Sequence, residues 1–137
     1  MKSKFLYFAV FLVLPIFVFA AEVELTAKKA FDACMRETTK DRERCDFGGC
    51  GNIAGSCYER QIDVVSLATE LLVKKLGAER CAGAANSASN EIENLSSKLK
   101  IRPPFDSTWS GYDVQMEVAL LKYKIMDALA KECARKN

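Results

Sequence analysis

The sequence predicts an all-α fold, a disulfide-stapled antiparallel bundle of about four helices. Three features of the chain point to this fold class. Apolar residues recur at spacings of three and four along most of the chain, whereas no stretch sustains the alternation typical of a strand. The connections between these striped segments are short, as in antiparallel bundles. Six cysteines, an even number, follow an amino-terminal stretch typical of exported proteins, so three disulfides are expected.

Residues 1–20 have the composition of a secretory signal peptide. Two lysines lie among the first four residues, an apolar run occupies residues 5–19, and cleavage is expected after Ala20. The run of about fifteen residues is shorter than the roughly 20 that a membrane-spanning helix needs, although an uncleaved anchor helix is the alternative. We therefore expect a periplasmic or secreted protein whose residues 21–137 form a single helical domain.

The charge balance argues against nucleic acid and membrane partners. The chain has 20 basic and 18 acidic side chains, and the two excess basic residues are matched by Lys2 and Lys4 of the predicted signal peptide. The predicted mature domain is therefore neutral on balance. A nucleic-acid-binding protein needs a basic surface, and electrostatic attraction to anionic lipids needs a polybasic patch. We expect neither partner for this domain.

The absence of histidine narrows the chemistry that the chain can perform. It excludes Ser–His and Cys–His nucleophile pairs and a histidine general base. Clustered cysteines without histidine and without a Cys-x2-Cys pair also disfavour a zinc site. We therefore expect no catalytic residue, no metal site and no cofactor, and a binding protein rather than an enzyme.

Four segments have the apolar periodicity of helices. They are Glu22 to about Thr39, a segment that begins at Asn52 or Ser56 and ends at Leu76, Ala78 to Lys100, and a segment capped by Asp106 or Ser107 that runs almost to Asn137. Gly77 has the position of a C′ residue after the second helix. The stripes expected to face the core include Leu67, Leu71, Leu95, Leu99, Trp109, Tyr112, Met116, Leu120, Tyr123, Met126 and Cys133.

A glycine-rich stretch with three cysteines lies between the first two helices. Cys45, Cys50 and Cys57 fall within thirteen residues, and four glycines lie among them. A glycine-rich backbone is entropically costly to order, and cross-links reduce that cost, so residues 46–51 are predicted to form a rigid stapled loop. Phe47 is expected either to plug the end of the bundle or to serve as an exposed anchor for a partner. The predicted partner-binding residues are Asp46, Phe47, Gly48, Gly49, Asn52, Tyr58 and Trp109.

The predicted topology constrains the disulfides. Antiparallel packing of the third and fourth helices places Cys81 beside Cys133. Cys34, at the end of the first helix, is expected to pair with one of three cysteines near the start of the second, Cys45, Cys50 or Cys57. Three local pairings remain open. We favour Cys34 with Cys57 and Cys45 with Cys50, because the second bridge would form a tight knuckle that displays Phe47.

Two short stretches resemble a known family. Asn52-Ile53-Ala54-Gly55-Ser56-Cys57-Tyr58 is followed by Asp63 and Leu67, and Trp109-Ser110-Gly111-Tyr112 opens the last predicted helix. They resemble the cysteine-started helix and the later Trp-x-x-Tyr of the LprI-type lysozyme inhibitor family, although Asp113 stands where that family tends to have Arg. The resemblance implies an exported helical protein that binds and inhibits a cell-wall hydrolase. We expect occlusion by the stapled loop, with Asp46 facing a basic enzyme surface.

Other functions fit the same sequence. A periplasmic immunity protein that neutralises a delivered toxin would also be a small rigid binder. A carrier of small apolar ligands is a further alternative, and an internal cavity of several hundred Å³ would favour it. An enzyme would require a cleft with a carboxylate of raised pKa.

Overall fold

A computed structural model describes residues 18–45, 50–78, 80–99 and 107–135, with side chains from residue 21 in the first range and from residue 51 in the second. These ranges contain no strand, which confirms the all-α fold class. The helices are α1 (Val18–Glu37), α2 (Thr39–Glu43), α3 (Cys50–Gly77), α4 (Ala82–Leu99) and α5 (Trp109–Arg135). The short α2 lies in a charged segment in which no helix was predicted.

The central pair of the bundle is α3 and α5, which run in the same direction. Gly55 lies against Tyr112 near one end of the pair, and Leu76 packs with Met126 near the other. Helix α1 packs antiparallel on the first part of α3, and α4 packs antiparallel on the last part of α5. Consecutive long helices therefore alternate in direction, as the sequence predicts.

The core consists of two clusters that share the central pair. The first is formed by Ala27, Val65, Met116, Leu120 and Tyr123, and the second by Leu76, Ala85, Met126, Ala130 and Cys133. Leu72 packs against both clusters, so the apolar interior is continuous along α3. Helix α1 therefore buries its apolar residues in the first cluster, and α4 buries its apolar residues in the second.

Two disulfides pin the flanking helices to the central pair. Cys34 on α1 is bridged to Cys57 on α3, with their Cα atoms 5.4 Å apart, and Cys81 is bridged to Cys133 on α5, with a Cα separation of 6.3 Å. Both pairings confirm the predicted ones. The side chain of Cys50 lies outside the described residues, so its predicted bridge to Cys45 stays a prediction.

Helix boundaries differ from the predicted ones around the glycines. Helix α3 begins at Cys50, before Asn52, so Gly51, which was predicted to end the loop, is helical. The Ser56 hydroxyl donates to the Ile53 carbonyl oxygen at 2.7 Å and does not cap the helix. Gly77 is the last helical residue, not a residue beyond the helix end. The packing of α3 along its whole length overrides the low helix propensity of its glycines.

Four leucines that were expected in the core are exposed. Leu67 and Leu71 on α3 are each 61% exposed, and Leu95 and Leu99 on α4 are also exposed. The buried face of α3 is centred on Val65, Thr69, Leu72 and Leu76, about one residue away from the predicted stripe. Adjacent apolar pairs such as Val64-Val65 do not fix which member faces inward. On α4, burial ends at Ile92.

The predicted signal peptide lies mostly outside the described residues. Helix α1 begins at Val18, four residues before the predicted start, and residues 1–17 are not described. None of the helices in the described ranges has the length and apolarity needed to cross a bilayer. The single-domain organisation of residues 21–137 stays a prediction.

The two disulfides are expected to differ in their effect on stability, because they close loops of different length. Replacing Cys81 and Cys133 by alanine should lower the free energy of unfolding by about 4 kcal/mol, since their separation is 52 residues. The same change at Cys34 and Cys57, separated by 23 residues, should cost about 3 kcal/mol. Guanidinium denaturation followed by circular dichroism measures both. A larger loss for the shorter bridge would contradict the loop-length argument.

Candidate protein-binding site

Four aromatic side chains from three helices meet at one end of the bundle. Tyr58 of α3 lies at the centre, with its ring centroid 4.7 Å from that of Phe31, 5.3 Å from Tyr112 and 5.6 Å from Trp109. The Tyr58 and Tyr112 rings are stacked, and Trp109 meets Tyr58 edge-on at 69°. Such pairs contribute about 0.5–1.5 kcal/mol beyond their area burial. We call these four residues the aromatic end.

The Cys34–Cys57 disulfide holds two members of the aromatic end in place. Tyr58 directly follows Cys57 on α3, and Phe31 lies one turn before Cys34 on α1. A covalent bridge one turn or less from each ring limits how far α1 and α3 can slide past each other. The disulfide therefore keeps Phe31 on α1 close to Tyr58 on α3.

The first turn of α5 supplies the other two members. Thr108 caps this helix, because its hydroxyl oxygen accepts a hydrogen bond from the Gly111 amide at 3.0 Å. The predicted cap was Asp106 or Ser107, so the helix begins one to two residues later than expected. Trp109 and Tyr112 are three residues apart and therefore project from the same side of the helix.

Gly55 leaves room on α3 for the end of the Tyr112 side chain from α5. A Cβ atom at this position would lie 2.5 Å from the Tyr112 hydroxyl oxygen and 3.0 Å from the ring carbon that bears it. Any other residue would therefore overlap the end of the Tyr112 side chain, which would have to move. Gly55 lies outside the predicted loop of residues 46–51, and it serves packing inside the protein.

Trp109 is exposed, although its spacing placed it in the buried stripe of the last helix. Its side chain is 59% exposed, while Tyr112, one turn later, is half-buried against Gly55 and Tyr58. The indole is nevertheless held by its edge contact with Tyr58. An exposed tryptophan with a fixed orientation is the kind of side chain that dominates protein–protein interfaces.

The electrostatic environment of the aromatic end is acidic on the α5 side. Burial raises the pKa of the Tyr58 hydroxyl, and the carboxylate of Asp113 raises it further. Asp113 and Glu117 are both exposed, and the first basic residue of α5 comes only at Lys122. The nearby ion pair between Arg60 and Glu37, at 2.9 Å, is exposed and contributes little to stability.

The structure brings together two of the predicted site residues. Tyr58 and Trp109 are in contact, whereas Asn52 is exposed on α3 outside the aromatic end. The loop residues Asp46, Phe47, Gly48 and Gly49 lie outside the described residues, so their role stays a prediction. Phe31 was expected only as a core position, and Tyr112 as a core position and as part of the Trp-x-x-Tyr stretch. Phe31 lies one helical turn before Cys34, and Tyr58 directly follows Cys57, the favoured partner of Cys34. Together these spacings could have predicted that Phe31 lies beside Tyr58.

A second concave surface lies between α3 and α4, with α5 as its floor. It has a volume of about 500 Å³ and is lined by Ser66, Thr69, Glu70, Val73, Lys74, Ser89, Glu93, Ala119 and Lys122. The Lys122 ammonium donates to the Glu93 carboxylate at 2.7 Å, and this hydrogen bond is the main cause that lowers the Glu93 pKa. An open groove with ionised walls suits polar groups and differs from the apolar cavity expected of a carrier. In the described ranges, no three potential metal ligands converge.

No family model, curated protein or solved structure matches this chain. The aromatic end and the groove between α3 and α4 are the two surfaces described above. Of these two, only the aromatic end combines an exposed large apolar side chain with a nearby disulfide and aromatic rings from three helices.

Gly55→Ala is expected to lower the free energy of unfolding by about 1–3 kcal/mol, because the new methyl group overlaps the Tyr112 hydroxyl. Combining it with Tyr112→Phe should recover part of that loss, since the closest overlapping atom is removed. Gly83→Ala is the matched control, because a Cβ there meets open space and alanine favours a helix by roughly 1 kcal/mol. Equal effects of the two glycine substitutions in urea denaturation would contradict the close-approach assignment.

Asp113→Asn is expected to lower the Tyr58 pKa, but not to its ordinary value of about 10, because burial remains. Because the Tyr58 pKa is raised in the folded protein, the Tyr58 hydroxyl of the unfolded chain loses its proton at a lower pH than that of the folded chain. Stability from Tyr58 is therefore intact below about pH 10 and is lost as the pH rises through the folded-state pKa. Phenolate absorbance, measured in a Tyr123→Phe background because burial also raises the Tyr123 pKa, reports the change. If the Tyr58 pKa is the same in the Asp113→Asn variant, the Asp113 carboxylate does not influence it.

Proposed function

We propose that this protein is exported and that it binds and inhibits a cell-wall hydrolase of the lysozyme type, using the aromatic end as its contact surface. The observation that supports this proposal is a juxtaposition. The two stretches that resemble the LprI-type lysozyme inhibitor family, one containing Gly55 and Tyr58 and one containing Trp109 and Tyr112, pack directly against each other. Separate in sequence, they form one surface.

The rigidity of the aromatic end suits the binding of a preformed partner. Tyr58 touches three other rings, and the Cys34–Cys57 bridge prevents α1 from moving away from it. Side chains that are already ordered lose little conformational entropy on association. The exposed indole of Trp109 can therefore contribute most of its apolar area to affinity.

The glycine-containing segment 46–49 is the second part of the proposed contact. It connects Cys45 to Cys50, and α3 reaches Tyr58 about two turns after it begins. The ends of this segment are thus anchored on the same side of the bundle as the aromatic end. In the proposed complex, Phe47 adds a second aromatic contact, and glycines allow the partner's backbone to approach closely.

Charge supports a basic target. Asp113 and Glu117 lie exposed on the first turns of α5, and we propose that Asp46 of segment 46–49 adds a third acidic side chain. Acidic side chains around an apolar anchor steer a basic partner and reject an acidic one. Secretion into the periplasm or beyond, as the predicted signal peptide and the two disulfides favour, would bring the protein to such hydrolases.

The decisive experiment is an inhibition and calorimetry series with the oxidised, exported protein and a set of lysozyme-like hydrolases. Trp109→Ala is expected to weaken binding roughly 30-fold, about 2 kcal/mol, because it removes the exposed anchor while leaving the core intact. Phe47→Ala and Asp46→Ala should each weaken it further.

Leu121→Ala is the matched control for this series. It also removes an exposed apolar side chain from α5, but it lies twelve residues from Trp109, about 18 Å along the helix. It should bind like the unchanged protein. Binding that survives Trp109→Ala undiminished, or the absence of inhibition across all hydrolases tested, would contradict the proposal.

A further inference from the structure

A stripe of exposed side chains on α3 combines two leucines with charges of opposite sign at its two ends. Leu67 and Leu71 are each 61% exposed, more than any other large apolar side chain in the described part of the chain. Asp63 precedes them by one turn, and Lys74 and Lys75 follow them by one turn, all three exposed. We call these five residues the α3 stripe.

Helical spacing places the α3 stripe on one face. Asp63, Leu67 and Leu71 step by four residues, and the lysines follow after three and four more. The stripe therefore spans about 18 Å along the helix axis. Within the described ranges, none of its charged side chains takes part in an ion pair. The bundle itself thus leaves both leucines uncovered and pairs neither Asp63 nor Lys75, whereas Lys74 has the exposed Glu70 one turn before it on α3.

We propose that two copies of this protein pair through the α3 stripe as an antiparallel two-fold dimer. In such a dimer, residue i of one copy faces residue j of the other and the reverse, so the surface must complement itself. A two-fold axis on the exposed side of α3, level with residue 69 along the helix, brings Leu67 against Leu71 of the second copy. The same axis brings Asp63 against Lys75, with Lys74 close by, at both ends of the contact.

Charge selects this arrangement over the other ways of covering the stripe. A parallel pairing of the two helices would place Asp63 against Asp63 and lysine against lysine, which is repulsive at both ends. A partner with a single charge sign would match one end of the stripe and oppose the other. A second copy turned by the two-fold axis pairs both ends and buries all four leucines.

The size of the contact sets the expected strength of the dimer. A contact along one helix pair, about 18 Å long and about 10 Å wide, covers far less than the roughly 1,200 Å² that stable interfaces bury, so the dimer should dissociate on dilution. The stripe is distinct from the aromatic end, and this inference does not rest on the proposed inhibitory function.

The test is analytical ultracentrifugation of the oxidised, exported protein over a range of concentrations. The unchanged protein is expected to show a reversible monomer–dimer equilibrium. Leu67→Glu with Leu71→Glu should abolish the dimer, whereas Leu121→Glu, an exposed leucine on α5, should leave the dissociation constant unchanged. Circular dichroism checks that each variant is folded, as expected for changes at exposed positions.

Charge exchange tests the two-fold geometry itself. Asp63→Lys alone should weaken the dimer roughly tenfold or more, and so should Lys74→Glu with Lys75→Glu, because each variant has like charges at both ends. An equimolar mixture of the two variants should recover dimers, since every acidic side chain then faces lysine. A triple variant with all three charges reversed should also dimerise.

Two results would overturn the inference. One is an unchanged protein that stays monomeric at its highest soluble concentration. The other is a dimer that persists in the Leu67→Glu, Leu71→Glu variant or that shows no recovery when the two charge variants are mixed. The first outcome would leave the α3 stripe to a different partner, and the second would place the dimer contact on another face.

Discussion

The contact between Gly55 on α3 and the Tyr112 side chain of α5 is the one on which the aromatic end depends. Only a residue without a Cβ leaves space for the Tyr112 ring, and only with Tyr112 in that space can Tyr58 stack on it and support Trp109. A single missing methyl group thus leaves the space for the Tyr112 ring, which stacks on the same Tyr58 ring that Trp109 meets edge-on. Such close approaches leave little freedom because protein interiors are densely packed.

The disulfides extend this constraint to the flanking helices. Each bridge joins one outer helix segment to one member of the central pair, and each lies at the end of the bundle opposite the other. The core between them is continuous through Leu72, so the bridges supplement burial and do not replace it. This division suits a chain of this size, which can bury a core of its own.

The two surfaces that we assign to partners differ in the physics of recognition. The aromatic end presents a rigid apolar anchor beside acidic side chains, which suits a partner of different shape and opposite charge. The α3 stripe presents two leucines between opposite charges, which suits an identical copy turned by a two-fold axis. Tyr58 lies eleven residues from the centre of the stripe, so the proposed dimer would hold its two aromatic ends about 33 Å apart along α3. Both surfaces could then be used at the same time.

Sequence alone determined the helical class, the pairing of Cys81 with Cys133 and the favoured pairing of Cys34 with Cys57. These follow from apolar periodicity and from the positions of cysteines at helix ends, and both are local properties of the chain. Tertiary structure decided which apolar residues of each helix face the core. Leu67, Leu71 and Trp109 were expected there and are exposed. Tertiary structure also decided that Gly55 contacts the Tyr112 side chain. Burial depends on where other helices lie, and periodicity fixes a helix face only to within about one residue.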